Sequence, residues 1–118
     1  MKYPDYFPVN CPPKDACAEE VTAYRMCKTD IIDRSDFQSY YEMGKDFGNN
    51  VNGYGVSVLS DIKEASVLAK MPAHRKDYLA QGCTASVCGE ILRTPSKNRS
   101  SHITWWLYEN ATPEKYFK

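Results

Sequence analysis

The stretch Tyr54-Gly55-Val56-Ser57-Val58-Leu59-Ser60-Asp61-Ile62-Lys63-Glu64-Ala65-Ser66-Val67-Leu68-Ala69 decides the first pair of elements. Its first six residues carry β-branched and aromatic side chains, which suit a pleated, half-buried strand. Ser60 or Asp61 then caps a helix, and Asp61 with Glu64 has the spacing of a capping box. Ile62, Ala65, Leu68 and Ala69 form the stripe that such a helix buries. Pro72 ends it.

Toward the C-terminus the chain reads as strands, at about 77–80, 88–93 and 101–108, with Gly82 and Gly89 breaking the first two apart. The segment from Thr94 to Arg99 reads as a polar loop. Thr112-Pro113 opens a last short helix, because proline is at home in a first helical turn. Toward the N-terminus, Asn49 to Gly53 reads as a turn, since Asn and Gly tolerate positive φ. Ser35 looks like an N-cap, with Phe37, Tyr40 and Tyr41 at helical spacing behind it and Gly44 as the stop. The segment from Glu20 to Cys27 reads as a strand, preceded by a short helical turn over 16–19. Pro4, Pro8, Pro12 and Pro13 make residues 1–15 an extended arm, because proline fixes φ and removes a donor.

These elements predict an α+β fold: a mainly antiparallel sheet of four to five strands with two to three helices packed on it. The expected organisation is a proline-rich arm over 1–15 and a single domain over 16–118. The 118 residues suffice for one core.

Lys and Arg together number 15, as do Asp and Glu. This balance argues against a general attraction to nucleic acid or to an anionic membrane. No apolar run reaches the roughly 18–20 residues of a membrane span. Met1-Lys2-Tyr3-Pro4-Asp5 lacks the apolar core of a signal peptide. Cytoplasmic localisation is therefore expected, with Cys11, Cys17, Cys27, Cys83 and Cys88 as reduced thiols. Their spacing fits a structural zinc site poorly, so neither a metal nor a cofactor is expected.

The strongest local feature is His102-Ile103-Thr104-Trp105-Trp106-Leu107-Tyr108. In a strand, Ile103, Trp105 and Leu107 share one face, and His102, Thr104, Trp106 and Tyr108 the other. A strand with large rings on both faces is either central and covered twice, or turns one ring-bearing face to a partner or ligand. The preceding loop supplies Lys97 and Arg99, whose charges, with nearby hydroxyls, suit a phosphate or carboxylate. Lys97, Arg99, His102 and Trp106 thus define a candidate site for a small anion, or for a single nucleic-acid strand stacked on Trp106.

Three functions follow. The first is a non-enzymatic binding or interaction module, expected as a homodimer, with Tyr6, Phe7, Trp106 and Tyr108 at the interface. The second rests on order along the chain: Arg25 on an early strand, Ser57 on a strand running straight into a helix, Glu90 on a later strand. This layout resembles that of the ADP-ribosyltransferase fold. The resemblance implies that Arg25 and the Ser57 strand hold NAD and that Glu90 orients its ribose. The Ser-Thr-Ser triplet and the paired-acid loop of that family have no counterpart here. The third is the anion or single-strand binder just described. With no catalytic motif at a telling spacing, a non-enzymatic role leads.

Overall fold

A computed structural model describes residues 1–118. Its centre is one five-stranded antiparallel sheet, as expected. The strands are β1 (Thr22–Cys27), β2 (Val56–Leu59), β3 (Tyr78–Cys83), β4 (Gly89–Arg93) and β5 (His102–Leu107). Their order across the sheet is β3-β1-β2-β5-β4. Two α-helices accompany it, α1 (Tyr40–Met43) and α2 (Ile62–Ala69), together with four short 3-10 turns. No helix is long and apolar enough to cross a membrane.

The face carrying Ile91, Trp105, Ile103, Val56 and Val58 builds the main core, joined by Phe37 from a connecting segment and Phe117 from the C-terminal segment. Strand alternation sends these residues to one side, and register holds them level: Ile91 and Val56 both sit opposite Trp105. The other side of β5 is covered as well. Trp106, like Trp105, has no exposed surface. Both strand ends of the sheet are blunted. Cys17 pairs with Ile91 beyond β4, and Phe117 pairs with Gly82 beyond β3. Each pairing covers part of an edge that would otherwise invite strand addition.

Local expectations are corrected at several points. No helical turn forms over 16–19, since Cys17 exchanges both backbone hydrogen bonds with Ile91 and is extended. The helix expected behind Ser35 is two separate pieces. Asp33 caps a 3-10 turn over Arg34–Asp36, and Ser39 caps α1, each with a full capping box. Phe37 lies between them and turns into the core, while Tyr40 and Tyr41 stay outside. Gly44 then stops α1 at φ 72°, as expected.

Gly82 does not break β3, which runs through it to Cys83. A Cβ there would stand 2.1 Å from the Tyr116 carbonyl oxygen, so the missing side chain is what lets the C-terminal segment close on this edge. In α2, Asp61 caps through the Lys63 N–H, and Glu64 turns away from the expected capping box toward the loop before β5.

The arm has no helix or strand, but it is a run of turns and not an extended segment, with the N–H groups of Phe7, Cys11 and Ala16 donating to the Pro4, Pro8 and Pro13 carbonyls, and it lies against the body. Tyr6 stacks on Tyr41 with centroids 4.4 Å apart, and Tyr3 packs on Tyr108 at 4.8 Å. The Lys2 carbonyl accepts the Glu109 N–H at 2.8 Å.

Candidate functional site

Ser57 is exposed although β2 lies in the middle of the sheet. Its face is covered in two patches with a gap between them. At one end α2 sits over β1, β2 and β3, with Ala65 buried beneath it. At the other end the turn Val51–Tyr54 covers Trp106, whose Nε1 donates to the Val51 carbonyl at 3.0 Å. The gap is a cleft of about 560 Å³ floored by Ser57 and His102.

The sheet itself opens beside the cleft. β1 and β2 share a single register pair, Tyr24 opposite Leu59. Beyond it the Ser57 carbonyl accepts from Arg25 Nη1 at 2.7 Å, where a strand partner would otherwise stand. Arg25 Nε donates to the Asp36 carbonyl at 2.6 Å, and the guanidinium lies 5.9 Å from the Phe37 ring centroid. Burial lowers the Arg25 pKa from its usual value, yet an arginine stays charged at neutral pH. Nη2 has no protein partner, so this cation keeps donors for the cleft.

Lys45 and Arg99 also line the cleft. Lys45 Nζ lies 5.5 Å from the Tyr40 ring centroid, and Arg99 Nη2 points at the Met71 sulfur at 3.4 Å. None of the three cations pairs with a carboxylate; the ion pairs of this protein involve Lys2, Arg34, His74 and Arg93. The one acid in the lining, Asp77, is held by His74 Nδ1 at 2.8 Å. The cleft is therefore electropositive within a chain of balanced charge.

Both histidines of the protein line this cleft. His102 Nδ1 lies 2.8 Å from Thr94 Oγ1 and 3.2 Å from the Thr94 carbonyl. A carbonyl only accepts, so meeting both contacts places the proton on Nδ1 and leaves Nε2 as the free acceptor. Burial pushes the His102 pKa down, the nearby Arg99 adds to this, and the Thr94 carbonyl opposes it. The ring is neutral at pH 7 and behaves as a hydrogen-bonding group.

Arg99 and His102 owe their placement to α2. Glu64 Oε2 accepts the N–H and hydroxyl of Ser100 at 3.0 and 2.7 Å, and Oε1 accepts those of Ser101 at 2.9 and 2.6 Å. These four bonds hold the Glu64 carboxyl down to about 2 and fasten the loop to the helix.

Of the residues singled out from sequence, Arg25, Ser57, Arg99 and His102 meet in the cleft. Lys97 is exposed on the loop and outside the lining. Trp106 is sealed beneath the Val51 turn at 0 % exposure, so its ring presents no stacking surface. Glu90 takes the Tyr3 hydroxyl at 2.5 Å under the arm and does not line the cleft. The Arg–Ser half of the ADP-ribosyltransferase-like layout thus converges, and the glutamate stands apart. Tyr6 and Phe7 pack with Tyr54, and Tyr108 packs with Tyr3, all within one chain. Tyr40, Lys45, Asn52 and the His74–Asp77 pair were not legible as site residues. Only the close pairing of His74 with an acid three residues on offered a local signal. No cluster of three or more His, Cys, Asp or Glu side chains is placed to hold a metal ion, and all five cysteines are free.

Compared with protein-family models, curated proteins and solved structures, the chain matches none.

Proposed function

We propose that this protein is a binding module for a small anionic molecule, held in the cleft between α2, the 94–101 loop and the segment from Tyr40 to Gly55. The observation that carries this reading is the set of three cations, Arg25, Lys45 and Arg99, lining one cleft without a carboxylate partner. Unpaired cations beside a half-buried surface are a standing attraction for an anion. The exposed Ser57 hydroxyl and neutral His102 add hydrogen bonds that fix its orientation. Reading the cleft as a binding site also accounts for an exposed polar residue on a central strand.

Isothermal titration calorimetry with inorganic phosphate tests the proposal. Saturable binding that weakens as salt rises is expected. Arg99→Ala is expected to weaken it about tenfold, since a charge-assisted hydrogen bond contributes roughly 1.5–3 kcal/mol. Absence of saturable binding at low salt, or binding indifferent to Arg99→Ala, overturns it.

A further inference from the structure

A second recess of about 280 Å³ adjoins the charged cleft. Tyr40, Asn52, Gly55, Ser57 and His102 line both, so the two form one continuous site with two lobes. Their chemistry differs sharply. The larger lobe holds Arg25, Lys45 and Arg99. The recess contains no charged side chain. Its far wall is Phe47, whose ring packs where a Gly53 Cβ would stand and meets Tyr54 edge-on at 5.1 Å. That packing makes Phe47 a fixed surface. Tyr40 adds a second ring.

The polar groups of the recess come as neutral donors and acceptors. The Asn52 side-chain amide has no partner within the chain; its backbone N–H donates to Asn50 Oδ1 and its carbonyl accepts the Gly55 N–H. His102 offers Nε2, and Ser57 a free hydroxyl. An amide presents a donor and an acceptor side by side, which is the pattern on the edge of a nucleobase. Aromatic walls bind the flat faces of such rings by stacking. A charged lobe joined to a neutral, aromatic, amide-bearing lobe asks for a ligand that is anionic at one end and planar and polar at the other.

We infer that the ligand is a nucleoside 5′-phosphate, its phosphate in the cationic lobe and its base in the recess against Phe47. This inference rests on the anion-binding reading and specifies it. The phosphorylated nucleoside is either a free nucleotide or the 5′ end of a strand. The ribose bridges the lobes over Ser57 and His102, the residues they share.

The test is calorimetry with inorganic phosphate, ribose 5-phosphate, the four ribonucleoside 5′-monophosphates and a 5′-phosphorylated trinucleotide. At least one monophosphate or the trinucleotide is expected to bind about tenfold to a hundredfold tighter than ribose 5-phosphate, the gain from stacking one base. The stronger of these two ligand types identifies the source. Asn52→Ala, which breaks no bond within the chain, is expected to shrink that preference several-fold, and so is Phe47→Leu. Equal binding of ribose 5-phosphate and every base-bearing probe overturns the inference and leaves the anion-binding reading intact. A preference unchanged in Asn52→Ala and Phe47→Leu also overturns it, because the base then lies elsewhere. If phosphate and all the other probes fail to bind, both readings fall.

Discussion

His102 shows how much of a residue's role is set by what surrounds it. From sequence it is a histidine after a basic loop, one of four residues of a candidate anion site. In the fold its ring is half-buried on the interior strand β5, and burial lowers its pKa below the ordinary value. The consequence for stability has a definite sign. Above the unfolded histidine pKa of about 6.5 both states are neutral and stability is full. As pH falls below that value the unfolded chain takes the proton more readily, so stability drops until the folded ring also protonates. Between pH 7 and 5, urea unfolding is expected to show an acid loss of up to about 1.4 kcal/mol per pH unit from this group. His102→Gln is expected to flatten that slope; an unchanged slope would mean that His102 titrates normally. Trp106 makes the same point by the opposite route. Its ring was readable as a platform, and the Val51 turn sealed it.

At the scale of elements, the decisive feature is the parting of β1 from β2. Strand propensity predicts two strands here and is right about both. It carries no information on how far they pair. Arg25 occupies the wedge with two bonds to carbonyls, Asp36 at 2.6 Å and Ser57 at 2.7 Å. Arg25→Met strips the guanidinium from both and leaves two carbonyls to find other partners. We expect a loss of about 2–4 kcal/mol by denaturant unfolding, from two charge-assisted hydrogen bonds at non-additive values. Arg25→Lys should recover only part, because an ammonium cannot span both acceptors in the plane of a fork. A loss below 0.5 kcal/mol for Arg25→Met would show that the wedge is not structural. The broken helix behind Ser35 belongs at this scale too. Phe37, Tyr40 and Tyr41 have helical spacing, but Asp33–Asp36 and Ser39–Glu42 are two successive capping boxes. Each box marks a start, and two starts six residues apart leave no room for one helix. That signal was present in the sequence and was outweighed by ring spacing.

At the scale of the whole molecule, the aromatic surplus goes into holding the arm and the two sheet faces together. Tyr6, Tyr41 and Tyr54 stack in sequence, and Phe47 adds an edge contact to Tyr54. Deleting residues 1–10 removes Tyr6 and uncovers the rest of this row and the Tyr108 ring beneath Tyr3. The truncated protein is expected to melt several degrees lower and to associate on size-exclusion chromatography, because the row forms one contiguous apolar patch. A truncated protein with unchanged melting and elution would show that the arm contributes nothing to the fold. The class of fold, the Leu59-to-α2 transition, the two faces of β5 and the stop at Gly44 were all legible along the chain. Each depends on periodicity or on a cap within a few residues, which is local physics. The sequence also marked Arg25, Ser57, Arg99 and His102 as chemically notable. Long-range packing alone brings these four into one cleft, adds Lys45, Asn52 and His74 to them, and keeps Trp106 and Glu90 out. The reason is that a site depends on which parts of a sheet face remain uncovered. That follows from where α2, the Val51 turn and the arm come to rest, and these placements depend on contacts between residues far apart in the chain.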